Sequence, residues 1–97
     1  MIPFDFFADA KAELDESFDW YAQRSVRAAS NFTNAVNAAL ERISTDPEQF
    51  PKIDETQRDC PVKRFPYRIV FRVETDRILV VAVAHAKRRP AYWRDRT

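Results

Sequence analysis

The sequence predicts an α+β fold in which an N-terminal helical hairpin packs on one face of a small antiparallel β-sheet. Apolar residues recur every three or four positions between residues 10 and 43, as in amphipathic helices. Apolar and polar residues alternate from Tyr67 onwards, as in strands. The break between the two helical patterns is very short, which favours an antiparallel hairpin. The predicted order is β-α-α-β-β-β, followed by a short helix that Pro90 opens and that contains Tyr92 and Trp93.

The first strand and the first helix lie close to the N-terminus. Residues 2–7 have the composition of a short strand, and Pro3 favours an edge position or a strand start because proline cannot donate a ladder hydrogen bond. Asp9 is the expected N-cap of a helix that runs to about Arg24, with a start one residue either side as the alternative. The apolar face of this helix consists of Ala10, Leu14, Phe18 and Tyr21.

The second helix has recognisable start and stop signals. Ser25 can cap its N-terminus. Asp46-Pro47 ends it, because proline disfavours helical geometry in the residue before it. The apolar stripe of the helix consists of Ala29, Phe32, Val36, Leu40 and Ile43.

The rest of the chain has the pattern of a loop followed by a sheet. Residues 47–59 are polar and contain proline, which favours a loop, and strand patterning begins after Pro61. Thr75-Asp76 stands where a tight turn is needed. Residues 78–84 are apolar on both faces, which indicates a central strand that is covered on each side.

Length and composition restrict the class of protein. A chain of 97 residues with 45% hydrophobic residues suits one folded domain over residues 1–97. The absence of glycine excludes a glycine-rich phosphate loop and a dinucleotide fingerprint. No apolar run approaches the roughly 20 residues of a membrane helix, so no membrane partner is expected. The single cysteine, Cys60, cannot form an internal disulfide, so a cytoplasmic location is expected. Cys60 also has no cysteine or histidine neighbour, so we expect no metal at this position, and we expect no cofactor.

The small net charge of +1 hides an asymmetry between the two halves of the chain. Residues 1–50 carry four basic and nine acidic side chains, a net charge of −5. Residues 51–97 carry twelve basic and six acidic side chains, a net charge of +6. A basic C-terminal half suggests an anionic partner, either nucleic acid or an acidic polypeptide, and the alternative is a dipolar surface without a specific role.

Three stretches of the chain carry a family resemblance. They are Trp20-Tyr21, the strand RFPYRIVF from Arg64 to Phe71, and the ending HAKRRPAYWR from His85 to Arg94. In this order and spacing they resemble the ParE/RelE toxin superfamily, the toxins of plasmid stabilisation systems. Members have a similar RFPYRIVF strand and a similar H-x-x-R-x-P-x-x-W ending. The resemblance covers nearly the whole chain.

The resemblance implies the toxin of a type II toxin–antitoxin system, neutralised by a cognate antitoxin whose acidic C-terminal segment wraps the toxin. ParE-like members inhibit DNA gyrase and arrest growth, whereas RelE-like members cleave messenger RNA on the ribosome as endoribonucleases. The long helical hairpin and the Arg-x-Pro-x-x-Trp ending favour the ParE branch. A degenerate toxin that survives as an antitoxin-binding homologue is the third alternative.

The RelE-like alternative would require catalytic residues. By similarity to that branch, Arg68 matches a strand arginine that follows a tyrosine, and Arg88 matches the arginine of a Gly-Lys-Arg turn. Tyr92 lies within one residue of the position of a catalytic tyrosine. Lys63 and Arg64 loosely match a pair of strand lysines.

Proton transfer is the step that this set supports least. Arginine cannot act as a base at neutral pH, so Arg68 and Arg88 could only stabilise charge. Proton transfer would fall to His85, to Tyr92 or to Lys63 with a lowered pKa. The sequence therefore leaves the catalytic residues unknown.

Several of these residues also have a structural interpretation. A single histidine at the end of an apolar strand, such as His85, is commonly a structural hydrogen-bonding group. Arg68 can pair with a carboxylate of the same chain, such as Glu74, or with an acidic residue of the antitoxin. Tyr21 continues the apolar stripe of the first helix and is expected in the core, whereas the role of Trp20 stays open.

Binding of the antitoxin or of the target is the role that the basic C-terminal half favours. The run Lys87-Arg88-Arg89 beside two aromatic residues suits a polyanion or an acidic chain, with a solvated rim as the alternative. The candidate binding residues are Arg64, Arg68, Lys87, Arg88, Arg89, Tyr92 and Trp93.

Overall fold

The computed structural model describes residues 2–96; Met1 and Thr97, the ends of the predicted domain, lie outside the described residues. Its elements are β1 (Phe4–Phe6), α1 (Ala8–Ala22), α2 (Val26–Thr45), a 3₁₀ turn (Pro47–Gln49), β2 (Gln57–Val62), β3 (Tyr67–Val73) and β4 (Ile78–His85). The predicted α+β fold and the β-α-α-β-β-β order are confirmed. Within the described part of the chain, neither helix has the length and hydropathy that crossing a membrane requires.

The sheet has the strand order β1-β4-β3-β2. The three C-terminal strands are antiparallel, as predicted, while β1 runs parallel to β4 and makes the sheet mixed. No hairpin turn joins β1 to β4, because the helical hairpin and two strands separate them in the chain, so their direction is not restricted to antiparallel. The apolar strand β4 is central, with β1 at one edge of the sheet and β2 at the other.

The two helices differ in how they begin. Ser25 caps α2 as predicted, and its hydroxyl accepts a 3.1 Å hydrogen bond from the amide of Ala28. The expected cap Asp9 is wrong, because α1 already begins at Ala8 and Phe7 precedes it without a side-chain cap. Phe7 still donates a 3.0 Å backbone hydrogen bond to Val80, so strand pairing continues up to the first helical residue. Asp9 instead lies in the first turn, where a carboxylate complements the helix dipole.

The predicted loop over residues 47–59 is too long, because β2 already begins at Gln57 and includes Pro61. A proline is tolerated in β2 since this edge strand has only one neighbour. The carbonyl of Pro61 accepts a 3.2 Å hydrogen bond from the guanidinium of Arg42 on α2. Gln57 and Asp59 are buried although they are polar, and partners elsewhere in the chain satisfy them.

The main core lies between the helical hairpin and the sheet. Phe32 of α2 is fully buried, and its ring lies 5.0 Å from Tyr21 and 5.3 Å from both Phe65 and Tyr67. The predicted stripe of α2 is buried or half-buried throughout. In α1 the predicted apolar face is only partly correct, because Phe18 is 41% exposed beyond the edge of the core.

A β-bulge in β4 shifts the alternation of its apolar side chains between the two faces of the sheet. Val70 pairs with Ala82 and Phe71 pairs with Val80, which leaves Val81 without a partner on β3. Side chains up to Val80 therefore alternate between the two faces of the sheet in one order. After the bulge the order is reversed. The second face has its own small core of Val70, Val81 and Ala82, covered by Trp93, Ile53 and Phe7.

The predicted C-terminal helix is wrong. Residues 90–95 form successive turns, and the described part of the chain ends without a further helix. Ala91 has a φ of 60°, in the left-handed region that a regular helix of L-residues does not contain. Trp93 and Arg96 are held by partners on the sheet and on α1, and these contacts replace helical hydrogen bonding.

Candidate functional site

Arg68 is held by Asp59, a carboxylate on the neighbouring strand. Its Nε lies 2.6 Å from Oδ2 of Asp59 and its Nη2 lies 2.9 Å from Oδ1, a two-point ion pair. The predicted partner Glu74 is wrong, because Glu74 pairs with Arg77 and Arg72 at the β3–β4 turn. The hydrogen bonds that Arg68 donates to Asp59 raise the pKa of Arg68 further. Arg68 is therefore a fixed, half-exposed cation on the face of the sheet away from the helices.

Tyr92 is anchored to Glu13 of α1. Its hydroxyl donates a 2.6 Å hydrogen bond to Oε2 of Glu13, and the guanidinium of Arg96 reaches the same carboxylate at 2.9 and 3.0 Å. Burial, together with the hydrogen bond to Glu13, raises the pKa of Tyr92. The phenol therefore stays protonated and acts as a donor to Glu13.

Glu13 and Arg96 were not among the predicted site residues. Glu13 has one signal in the sequence, since it stands three residues after Ala10 and one before Leu14, beside the apolar face of α1. An acidic residue at such a position commonly has a specific partner. Arg96 has no comparable signal, because the turns that bring it to α1 do not follow a periodic pattern.

Trp93 fills the space over the second face of the sheet. Its indole Nε1 donates a 3.0 Å hydrogen bond to the side chain of Gln57, and its ring packs against Val70, Val81 and Ala82. The tryptophan is half-buried, so one part of it supports the fold and another part faces solvent.

His85 lies at the end of β4 and borders a groove. Its Nδ1 accepts a 3.0 Å hydrogen bond from the amide of Lys87, so a neutral ring carries its proton on Nε2. The ring meets Tyr67 edge-on at 4.9 Å. The groove has a volume of about 430 Å³ and is lined by Glu16, Ser17, Trp20, Tyr21, Pro66, Tyr67, His85 and Lys87.

Two turns bring five cations to one end of the sheet. Tyr67 pairs with His85, and the amide of Ala86 donates a 2.8 Å hydrogen bond to Pro66, so the β2–β3 turn lies beside the segment that follows β4. We call this surface the basic end; it consists of Lys63, Arg64, Lys87, Arg88 and Arg89. All five side chains are exposed, and no ion pair within residues 2–96 includes any of them.

Two members of the basic end have a defined local geometry. The guanidinium carbon of Arg88 lies 4.0 Å from the centroid of the Tyr92 ring, a cation–π contact. Arg64 has a φ of 71°, a conformation that costs a non-glycine residue energy and that is concentrated at turns and functional sites. Lys63 and Arg64 border a groove of about 510 Å³ beside Asn31 and Asn34 of α2.

The site can hold an anionic partner more readily than it can transfer protons. Tyr92 is engaged with Glu13, and Arg68 is engaged with Asp59. Free, exposed cations remain in the basic end. Such cations attract carboxylates and phosphates over distances of several Å.

The structure brings together no metal site in its described part. Among residues 2–96, no group of three histidine, cysteine, aspartate or glutamate side chains is arranged to hold a metal ion. Cys60 is fully buried, and this burial raises the pKa of its thiol.

Comparison with known proteins identifies the family. A family model described as "ParE toxin of type II toxin-antitoxin system, parDE" matches residues 5–90. No curated protein is significantly similar to the sequence. A solved structure described as "Chromosomal ParDE TA system from P. aeruginosa" contains a chain with the same fold, at a TM-score of 0.68 and 19% identity, over 90% of this chain and 98% of that one. Since the family model spans most of the sequence, the protein belongs to the ParE toxin family of type II toxin–antitoxin systems.

Proposed function

We propose that this ParE family member inhibits DNA gyrase by binding it in the cytoplasm, and that a cognate antitoxin neutralises this activity. The proposal rests on family membership and on one structural observation. Two of the side chains that a ribonuclease mechanism would use are engaged within the fold, and the exposed cations have no acidic partner in the described chain.

The engagement of Tyr92 and Arg68 favours binding over catalysis. A phenol whose pKa is raised and whose hydroxyl donates a hydrogen bond to Glu13 keeps its proton and is a poor general base. Arg68 donates to Asp59 from Nε and Nη2, so a phosphate that used this edge of the guanidinium would have to compete with an intramolecular carboxylate. A toxin that acts by binding needs neither group free.

The basic end supports an acidic partner. Its five cations are exposed and unpaired among residues 2–96, and an acidic antitoxin segment that covers them would gain charge-assisted hydrogen bonds. Such a segment would also occupy the cations that contact the target. Neutralisation would then follow from competition for one surface.

Two experiments in sequence test the proposal. Expression of the protein alone should arrest growth, and coexpression with its antitoxin should restore it. Purified protein should then inhibit supercoiling of relaxed plasmid by gyrase, and the Arg88→Ala variant should inhibit less. Lys52→Ala is the matched control, because Lys52 is an exposed cation that borders a groove at the opposite end of the sheet, beside Glu74 and Asp76.

Other outcomes would contradict the proposal in distinguishable ways. Full supercoiling at excess toxin, with new 5′ ends in translated messages, would identify a ribosome-dependent endoribonuclease. Normal growth of cells that contain folded protein would identify a degenerate homologue that only binds an antitoxin.

A further inference from the structure

Glu13 accepts hydrogen bonds from three residues, one in strand β4 and two in the segment that follows it. Its carboxylate accepts from the phenol of Tyr92, from two nitrogens of Arg96 and from the backbone amide of Val83, at 2.6 to 3.0 Å. A carboxylate offers about four acceptor positions, so this one is fully used. The side chains of Glu13 and Arg96 are only 12% and 16% exposed.

Glu13 and Arg96 form hydrogen bonds with a part of β4 that has no neighbouring strand on one side. β1 pairs with β4 only as far as Val80, so the β4 backbone beyond that point has no strand on this side. Glu13 accepts from the amide of Val83, and Arg96 donates a 2.9 Å hydrogen bond to the carbonyl of Val81, the bulged residue. These two side chains satisfy the edge of the sheet and join it to the C-terminal segment at the same place.

The hydrogen bond to Tyr92 connects Glu13 to the basic end. The ring of Tyr92 lies 4.0 Å from the guanidinium carbon of Arg88 and 5.3 Å from the ring of Trp93. The hydrogen bond that fixes the phenol of Tyr92 therefore also fixes the aromatic ring that Arg88 contacts. Within residues 2–96, Glu13 forms no hydrogen bond or ion pair with Arg88 or with the other cations of the basic end. Its influence on Arg88 passes through Tyr92.

We infer that Glu13 is a positioning residue for the partner-binding surface: through Tyr92 it holds Arg88 in the orientation that contacts gyrase. This inference rests on the proposed function for the identity of the partner. The anchoring of the C-terminal segment by Glu13 does not depend on that identity. An arginine held in place before binding loses less conformational freedom when a partner arrives, which raises affinity.

The experiment compares Glu13→Gln with Asp19→Asn, which changes an exposed carboxylate to an amide on the same helix. Inhibition of supercoiling should need about tenfold more Glu13→Gln protein than wild type, whereas Asp19→Asn should match wild type. Combining Glu13→Gln with Arg88→Ala should cost no more than Arg88→Ala alone, because both changes disable the same contact. Independent, multiplying losses would overturn the inference, as would wild-type potency of a folded Glu13→Gln protein.

A second measurement reports on the anchor without gyrase. In a Trp20→Phe background Trp93 is the only tryptophan, and acrylamide should quench its fluorescence more strongly in Glu13→Gln and Tyr92→Phe than in the parent. Tyr92→Phe removes one hydroxyl and keeps the Glu13–Arg96 pair, so it tests the same contact if Glu13→Gln fails to fold. Unchanged quenching in a folded variant would overturn the anchoring. Failure of wild-type protein to inhibit gyrase would instead reject the proposed function, and the quenching result would still decide the role of Glu13.

Discussion

Arg68 and Asp59 join the third strand to the second through two hydrogen bonds of 2.6 and 2.9 Å. The carboxylate is mostly buried, whereas half of the arginine side chain is exposed. The buried carboxylate of Asp59 therefore depends on Arg68 for its hydrogen bonds. The pair orients Arg68 and also ties the edge strand β2 to the sheet.

Removing the arginine should destabilise the fold measurably. We expect Arg68→Ala to lower the free energy of unfolding by about 1 to 2 kcal/mol, since Asp59 loses its donors while the exposure of Arg68 limits the gain from pairing. Urea denaturation measures the loss. The double variant Arg68→Ala/Asp59→Ala should recover part of it, and a double variant less stable than Arg68→Ala would show that Asp59 has other essential contacts.

The aromatic cluster around Phe32 should dominate the stability of the core. Phe32 is fully buried and contacts three aromatic rings, so Phe32→Ala should cost about 3 to 5 kcal/mol. Phe18→Ala, at a residue of the same type that is 41% exposed, should cost clearly less. Thermal unfolding of both variants measures the difference, and equal losses would contradict the packing described for α1.

The Glu13 anchor should be sensitive to acid. Burial raises the pKa of Glu13, but the hydrogen bonds from Arg96, Tyr92 and Val83 outweigh it and lower the pKa below its ordinary value of 4.5. The fold thus favours the ionised form, and the resulting stability is complete above about pH 4.5 and is lost as the pH falls through the lower folded pKa.

Urea denaturation of wild type and Glu13→Gln between pH 7 and pH 3 tests this dependence. The stability difference between the two proteins should shrink in the acidic part of the range. A difference that stays constant to the lowest pH would mean that the charge of Glu13 does not contribute to the anchor.

Arg88 should matter more for toxicity than for folding. Arg88 is exposed and contacts the Tyr92 ring without forming an ion pair among residues 2–96. Arg88→Ala should shift the melting temperature by less than about 4 °C, because exposed side chains contribute little to stability. Growth arrest and gyrase inhibition should weaken about tenfold. A large fall in melting temperature would assign Arg88 to the fold instead.

Much of the architecture could be predicted because it depends on local periodicity. The stripe of α2 and the alternation of β3 each place apolar side chains on one face, whatever the rest of the chain does. β2 could not be predicted in full, because Gln57 and Asp59 are polar residues that are buried only by virtue of Trp93 and Arg68. No local pattern contains that information.

The candidate site, too, could be predicted only in part. Cations and aromatic residues of the C-terminal half are visible in the sequence, and so is the family resemblance that the ParE family model confirms. Which of them are free and which are engaged depends on contacts between residues far apart in the chain, such as Tyr92 and Glu13, which are 79 positions apart.

Hydrophobic periodicity and charge are local properties, and they were sufficient to predict the helical hairpin, the strands β3 and β4 and the basic character of the C-terminal half. Three features depend on contacts that form when the chain folds: the last residues form turns rather than a helix, Asp59 is the partner of Arg68, and Glu13 holds Tyr92. Each of these outcomes satisfies a buried polar group whose partner lies in another element, and such pairings exist only once the chain has folded.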